Sequence, residues 1–252
     1  MYTTETDGNT TILRLEHGKA NALDLELLQA VDEQLREFEA SDQRALVVTG
    51  TGSVFCAGVD LFRLLEGGDA YLAGFLTTLN ACFRRLVSIE KPIVAAVNGH
   101  AIAGGCLLAI ACDLRVMAEG RGKVGVTELF VGVPFPAIGL ELLRAALAPR
   151  AFQDLTLTGR LCGADEAASL GLVHEVVATD GAMPRALELA AHMGSVLPET
   201  FALTKRQMRR PLLAALDGGL AAHDEDVAAR WRDPEVHATV REFLDATIGK
   251  RQ

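Results

Sequence analysis

The sequence lacks the features that direct a chain out of the cell, into a membrane or onto a metal ion. Its first ten residues, MYTTETDGNT, have neither the basic start nor the apolar run of a signal peptide, so we expect a cytoplasmic protein. No apolar stretch reaches the roughly 20 residues that span a bilayer, since the segment around 101–112 is closed by Asp113. The six histidines show no HExxH or other ligand spacing, so no metal site is expected.

Paired cysteine spacings and serine hydrolase motifs are also missing. Five cysteines without a CxxC pair predict reduced thiols rather than a disulfide framework or a zinc site. The absence of G-x-S-x-G removes the usual signature of a serine hydrolase. A formal net charge of -9 argues against nucleic acid or an anionic membrane as the main partner. An anionic ligand stays open, because helix N-termini and local basic residues act over short range.

What the sequence contains is an alternation of short apolar strands and amphipathic helices. Half of the 252 residues are hydrophobic and 23% are charged, a balance typical of a packed globular protein. The alternation predicts an α/β domain with a largely parallel sheet. Hydrophobic periodicity predicts strands at 10–15, 44–49, 93–97, 113–118 and 173–177, and helices at 24–40, at 70–89, from Gly104 onward and within 219–248.

Two glycine-rich segments follow predicted strands and are candidates for ligand binding. GTGSVFCAGVDL at 50–61 opens like a dinucleotide fingerprint, but Phe55 occupies the place of the third glycine. Its apolar and small residues instead suit a backbone that lines a pocket. In HAIAGGCLL at 100–108, Gly104 and Gly105 begin a buried helix with free N–H groups; the alternative is that these glycines only permit tight packing. Two N–H groups aimed at one oxygen would form an oxyanion hole.

Five ordered motifs resemble those of the crotonase, or enoyl-CoA hydratase/isomerase, superfamily over nearly the whole chain. They are GKANAL at 18–23, VFCAGVDL at 54–61, KPIVAAVNGHAIAGGC at 91–106, CDLRVMAE at 112–119 and LTGRLCGADEAASLGLV at 157–173. The resemblance implies a ClpP-like α/β spiral of repeated ββα units. It further implies a crotonase core at 1–195 and a C-terminal helical region at 196–252 that serves trimer formation. We therefore expect a homotrimer, or a hexamer made of two trimers.

The resemblance also implies roles for individual residues. The N–H groups of Val59 and Gly104 correspond to the oxyanion hole, and Glu128 corresponds to a catalytic glutamate. Loops near 62–80 and 130–140 are expected to line the acyl pocket. Coenzyme A belongs to the substrate, so no separate cofactor is expected. The positions implied to contact the acyl-CoA are Lys19, Ala20, Ala57, Val59, Asp60, Leu61, Phe62, Gly104, Leu107 and Pro134.

The sequence departs from the hydratase pattern at Leu107. Hydratases of the superfamily use two glutamates, whereas here Leu107 occupies the first position and only Glu128 remains at the second. This resembles the Δ3,Δ2-enoyl-CoA isomerases, in which one glutamate moves a proton from C2 to C4. With Leu129 and Phe130 beside it in sequence, the Glu128 carboxyl group is expected to have a raised pKa suited to that transfer. The alternative is an exposed carboxylate that begins a helix.

The sequence leaves several alternative functions, and the roles of several charged residues, undecided. Beside the isomerase, the alternatives are a 2-enoyl-CoA hydratase of fatty-acid β-oxidation, a non-catalytic acyl-CoA binding homologue, and other enolate chemistry of the superfamily. Asp60 is expected to shape its loop or to start a helix. Arg63, Lys205 and Arg206, with Lys19, are candidates to meet the phosphates of coenzyme A, although solvated surface charge is the alternative for each.

Overall fold

The computed structural model describes residues 1–218 and 221–248 of this chain. Four successive units of two strands and one helix open the fold, and the remaining elements are mainly helical. In chain order the elements are β1 (Tyr2–Asp7), β2 (Thr10–Leu15), α1 (Leu25–Ala40), β3 (Ala45–Thr49), β4 (Val54–Cys56), α2 (Leu61–Ser88), β5 (Ile93–Val97), β6 (His100–Ile102), α3 (Gly104–Ala111), β7 (Leu114–Ala118), β8 (Val124–Gly125), α4 (Glu128–Val131), α5 (Ala137–Ala146), α6 (Pro149–Thr158), α7 (Ala164–Leu170), β9 (Glu175–Val177), α8 (Ala182–Gly194), α9 (Pro198–Asp217), α10 (Ala221–Trp231) and α11 (Pro234–Ile248). The predicted spiral of ββα units is confirmed.

The strands form two sheets. A six-stranded sheet has the order β1-β2-β3-β5-β7-β9, and a three-stranded sheet has the order β4-β6-β8. Among the strands that the structure describes, only β1 and β2 pair antiparallel, so the predicted, largely parallel arrangement is confirmed. From β3 to β8, the first strand of each unit joins the large sheet and the second joins the small one. Each of these three units therefore adds one strand to each of the two sheets.

The large sheet is covered on both faces by apolar residues. On one face, Ala186 and Ala190 of α8 pack against Val47 and Val94. On the other face, the side chains of α1, α2 and α3 form the main core with alternate residues of the same strands. A parallel strand buried on both faces needs a continuous apolar run, which explains IVAAV at 93–97. Among the described helices, none is long and apolar enough to cross a bilayer.

Helix α2 differs from the prediction, because it begins at Leu61 rather than near residue 70. Asp60 caps it by accepting a hydrogen bond from the Arg63 N–H at 3.0 Å, which confirms its expected role at a helix start. The helix bends at Gly68, where φ is 68° and ψ is -173°. Beyond the bend, the Tyr71 hydroxyl accepts a hydrogen bond from the first N–H of α1. Residues 62–80 are therefore helical and not a loop.

The C-terminal helices pack on this same chain. Val236 and Val240 of α11 are buried in the main core, and the indole N–H of Trp231 donates to the Pro134 carbonyl oxygen at 3.0 Å. Part of the apolar face of α11 therefore packs within the protomer. Residues 219–220 and 249–252 of the predicted oligomerisation region lie outside the described residues. The boundary at residue 195 and the trimer or hexamer stay predictions.

Candidate active site

The small sheet brings three predicted functional residues to one edge. Strands β4, β6 and β8 run parallel, so their carboxyl ends lie side by side, where α/β proteins place ligands. Val59 follows the end of β4 by three residues, Gly104 follows β6 by two, and Glu128 follows β8 by three. Equivalent positions of three successive ββα units therefore supply the two backbone donors and the carboxylate.

The N–H of Val59 is free because its neighbours make the hydrogen bonds. Leu23 N–H donates to the Gly58 carbonyl oxygen at 2.8 Å, and Asp60 N–H donates to the Leu23 carbonyl oxygen at 2.9 Å. In this parallel bridge between Leu23 and Val59, the Val59 N–H points away from Leu23. It has no protein acceptor within the described residues.

Gly104 supplies the second free donor, because it is the first residue of α3 and such an N–H has no partner in its own helix. The preceding Ala103 has φ of 51° and ψ of -124°, a strained conformation of the kind found at functional sites. Its N–H donates to the Gly125 carbonyl oxygen at 2.8 Å. That bond ties the start of α3 to the end of β8.

Glycines allow the two donor loops to approach each other. A Cβ atom at Gly58, where φ is 88°, would lie 3.2 Å from the Gly104 nitrogen, and one at Gly104 would lie 3.7 Å from Val59 Cγ2. The donors are therefore neighbours in space. Gly105 has a different role, since a Cβ there would lie 2.0 Å from the Cys56 carbonyl oxygen. Tight packing, the alternative considered for both glycines, accounts for Gly105.

Glu128 is a buried carboxyl group with one unsatisfied oxygen. Glu128 is the first residue of α4 but is only 7% exposed. It therefore starts a helix, but it is not the exposed helix-start carboxylate that was the alternative interpretation. Oε2 has no hydrogen-bond partner among the described residues. Burial raises the pKa of Glu128 to about 7, against a smaller opposing effect of nearby backbone groups. Its charge also helps burial to raise the pKa of the Cys106 thiol, which places the carboxylate near the first turn of α3.

The residues next to Glu128 in sequence do not bury it. The raised pKa expected for Glu128 is present, but Leu129 and Phe130 are 45% and 63% exposed, so its burial comes from other residues. In a single turn of helix, successive side chains point in different directions, and here Glu128 and Val131 face inward while the two between them face out.

A narrow apolar crevice of about 10 Å³ lies between α2 and α11. Its lining includes Leu61, two residues after Val59, and Val133, five residues after Glu128. Helices α2 and α11 form its two sides, so part of its wall comes from the C-terminal region. The lining residues are Leu61, Leu64, Leu65, Leu72, Val133, Trp231, Val236, His237 and Val240.

The other predicted contact positions fall into two groups. Ala20 and Ala57 lie together beside the site, because the Ala57 N–H donates to the Ala20 carbonyl oxygen at 3.0 Å. Lys19 and Phe62 are exposed near them. In contrast, Leu107 is buried against the start of α5, where a Cβ at Gly139 would lie 3.0 Å from its Cδ1.

Pro134 is held at the crevice by its carbonyl oxygen, which accepts the Trp231 hydrogen bond. Sequence reasoning missed Trp231 as a site residue; its only signal was that it is the single tryptophan of the chain. A wider cleft, lined in part by Arg44, Lys91 and Phe201, lies at the amino ends of β3 and β5. It contains none of the predicted site residues.

Three of the four basic residues considered for coenzyme A, Arg63, Lys205 and Arg206, are engaged with the protein. Lys205 is buried, and its Nζ donates to Asp113 Oδ2 at 2.6 Å and to the Lys91 carbonyl oxygen at 2.8 Å. A phosphate has no access to Lys205, so that prediction is wrong. On the surface, Arg63 pairs with Glu26 and Arg206 pairs with Glu90. Such exposed pairs are weak and can exchange partners.

Comparisons with known proteins agree with this fold. A model of the enoyl-CoA hydratase/isomerase family matches residues 5–245. The chain is 33% identical over 224 residues to a short-chain-enoyl-CoA hydratase of Clostridium acetobutylicum, covering 88% of this chain and 85% of the relative. It is 33% identical over 226 residues to a 2,3-dehydroadipyl-CoA hydratase of Escherichia coli, covering 89% and 87%. The crystal structure of human mitochondrial delta3-delta2-enoyl-CoA isomerase matches with a TM-score of 0.94 at 25% identity, covering 100% and 99%.

Proposed function

Since the chain belongs to the enoyl-CoA hydratase/isomerase family, we propose that it is a Δ3,Δ2-enoyl-CoA isomerase with Glu128 as the sole proton shuttle. The observation that carries this proposal is the buried Glu128 carboxyl group with its unpaired Oε2. The helix that begins at Gly104 has the sequence GGCLLAIA and contains no second carboxylate. One base at the site suits a proton transfer better than the addition of water.

The proposed reaction uses the two backbone donors and the carboxylate together. The thioester oxygen accepts hydrogen bonds from the Val59 and Gly104 N–H groups, which stabilise the negative charge that develops there. Ionised Glu128 removes a proton from C2 of a 3-enoyl-CoA, and the electron pair of that C–H bond delocalises into a dienolate. Protonated Glu128 then returns the proton at C4, and the double bond moves to C2–C3. No atoms are gained or lost.

An aliphatic acyl group as the substrate fits the lining of the apolar crevice, whose side chains are mainly aliphatic. Their burial against an acyl chain is favourable at about 0.8 kcal/mol per CH₂ group. Because the crevice has a volume of about 10 Å³, the proposal requires α2 and α11 to move apart when the acyl chain binds. The proposal requires no cofactor, because coenzyme A enters as part of the substrate.

Turnover of a 3-enoyl-CoA tests the isomerase. We expect the purified protein to produce the ultraviolet absorbance of a conjugated 2-enoyl thioester, and Glu128→Gln to reduce kcat by about 100- to 10,000-fold. Glu199→Gln, which changes an exposed first-turn glutamate of α9, is the matched control and should retain full activity. Unchanged turnover in Glu128→Gln would refute the role of Glu128.

Hydration of a 2-enoyl-CoA is the second candidate, because relatives at 33% identity carry hydratase names. The same absorbance distinguishes the two reactions, since hydration of the double bond removes it and isomerisation creates it. If the protein consumes a 2-enoyl-CoA faster than it isomerises a 3-enoyl-CoA, hydration is the main activity. Tight acyl-CoA binding without either reaction would identify a non-catalytic binding protein.

A further inference from the structure

The loop between β2 and α1 contains a buried asparagine with an unusual number of contacts. Asn21 is 1% exposed. Its Nδ2 donates to the carbonyl oxygens of Val54 and Phe55 at 3.1 and 3.3 Å, and its Oδ1 accepts from the His17 N–H at 2.8 Å. Val54 and Phe55 belong to β4, the strand that leads to Val59. One side chain therefore joins this loop to the strand that carries the first oxyanion donor.

The backbone of the loop continues this contact up to the donor itself. The Ala20 carbonyl oxygen accepts from Ala57, and Leu23 bridges Gly58 and Asp60 through its N–H and carbonyl groups. These bonds determine the direction of the Val59 N–H. The Gly58 carbonyl group, which Leu23 holds, shares one planar peptide group with the Val59 N–H, and the two point in opposite directions. Residues 20–23 thus act as a template along which the donor segment lies.

Leu23 relates this template to the second donor. A Cβ atom on Gly104 would lie 3.0 Å from Leu23 Cδ1, so the leucine side chain packs directly against the start of α3. The backbone of Leu23 therefore contacts the segment of the first donor while its side chain contacts the second. A displacement of the loop would change the separation between the two N–H groups.

The position requires an asparagine for two reasons. Its φ of 47° lies in the left-handed region, which asparagine tolerates better than most residues. Its amide also offers donors and an acceptor on one short side chain, and here both kinds of atom are used. An aspartate would place an oxygen against two carbonyl oxygens, and an alanine would leave those groups without this donor.

We propose that Asn21 is a positioning residue for the oxyanion hole, which it aligns by fixing the loop at 20–23 against β4 and the Val59 segment. This inference rests on the proposed function of Val59 and Gly104. Asn21 does not touch the substrate. Its replacement should weaken stabilisation of the enolate and leave binding of the ground-state thioester nearly unchanged.

Asn21→Gly tests this inference, because glycine keeps the left-handed backbone free of strain and removes only the amide. We expect kcat for a 3-enoyl-CoA to fall about 10- to 100-fold, less than the loss of an oxyanion donor itself. The dissociation constant of a saturated acyl-CoA should change by less than about 3-fold, whereas the affinity for a 3-ketoacyl-CoA, measured by the absorbance of its bound enolate, should fall in parallel with kcat.

Asn98→Ala is the matched control. Its Oδ1 accepts from the Gly50 N–H and its Nδ2 donates to the Gly52 carbonyl oxygen, both at 3.0 Å, and more distantly to the Val54 carbonyl oxygen at 3.4 Å. It therefore makes similar bonds near the start of β4, but it connects the residue after β5, and not the loop at 20–23, to this segment. We expect Asn98→Ala to lower the thermal midpoint without changing the preference for the 3-ketoacyl-CoA. An equal loss of that preference in both variants, or no loss in Asn21→Gly, would overturn the inference.

Two further measurements distinguish a failure of the Asn21 inference from misfolding of the variant and from a failure of the proposed oxyanion hole. If Asn21→Gly does not fold, Asn21→Asp keeps the backbone preference and the acceptor for His17 while it loses the donors, and the same loss of preference is expected. If the unaltered protein binds the 3-ketoacyl-CoA no more tightly than the saturated acyl-CoA, the oxyanion hole itself is refuted. A preference in the unaltered protein that both Asn21 variants retain refutes only the role of Asn21.

Discussion

At the scale of single residues, Glu128 is a carboxyl group buried without a partner for Oε2 among the described residues. Burial favours its neutral form and raises its pKa to about 7. A base with such a pKa is half ionised near neutral pH, where it can both take and return a proton efficiently. In the proposed reaction the backbone N–H groups of Val59 and Gly104 bind the thioester oxygen, so no charged side chain is needed at that oxygen.

The raised pKa predicts the pH dependence of the reaction. Only ionised Glu128 can remove the C2 proton, so kcat/KM should rise with pH and level off above an apparent pKa of about 7. Below that pH, kcat/KM should fall about tenfold per pH unit. Steady-state kinetics of the isomerisation across this range measure the profile. A midpoint near 4.5, the ordinary value, would show that Glu128 is not the essential base or that its burial is lost in the free enzyme.

At the scale of elements, the bend in α2 divides this helix into two parts that contact different regions of the protein. The part before Gly68 carries Leu61, Leu64 and Leu65 into the apolar crevice. The part after it packs on α1, and Tyr71 caps the first turn of that helix. A Cβ at Gly67 would lie 2.4 Å from the Tyr71 ring. Gly67 therefore leaves room for the Tyr71 ring beside the bend, and the bend at Gly68 determines the direction of the part of α2 that lines the crevice.

Two glycine substitutions in α2 should have opposite effects. Gly68→Ala places a side chain at φ of 68° and ψ of -173° and should lower the free energy of unfolding by about 1 to 3 kcal/mol. Gly74→Ala adds a Cβ at an ordinary 3.6 Å from Leu25 Cδ2 and should raise it by up to about 1 kcal/mol. Urea unfolding of both variants measures the difference. Equal destabilisation would contradict the assignment of the strain to Gly68.

At the scale of the whole molecule, the C-terminal helices complete a site that the ββα spiral begins. Trp231 donates to Pro134, and Asp224 of α10 accepts hydrogen bonds from the Ala137 N–H and from Asn80 of α2. These contacts hold the segment after Glu128 and connect it to α2. Residues more than 80 positions apart in sequence are thereby brought together beside the crevice.

A substitution in α11 should change which acyl chains are accepted. Val240→Ala enlarges the crevice where α11 faces α2, and kcat/KM should shift toward substrates longer by one or two CH₂ groups, at about 0.8 kcal/mol for each group buried. Val196→Ala, at a position that is 40% exposed, is the control for a surface change. A series of 3-enoyl-CoA substrates of increasing length provides the measurement, and an unaltered length profile would place the acyl chain elsewhere.

Several secondary structure elements, the glycine-rich turns and the family could be predicted from the sequence. Buried strands such as IVAAV and the helix at 25–40 follow from apolar runs and helical periodicity. The glycine-rich turns before Val59 and Gly104 follow from the need for close backbone approach. The ordered motifs identified the family and the positions of Glu128 and Leu107. These features depend on residues within a few positions of each other, so a sequence displays them directly.

Tertiary structure decided the rest. Strands β4, β6 and β8 have only two or three residues each, too few for a periodic pattern, yet their pairing brings Val59, Gly104 and Glu128 together. Burial decided two features that could not be read from the sequence: Lys205, a candidate for a phosphate contact, lies inside the protein against Asp113, and Phe130, two residues after Glu128, faces outward. Whether a side chain is apolar or charged depends on that residue alone. Whether it is buried depends on which distant elements pack around it, and that is determined only when the chain has folded.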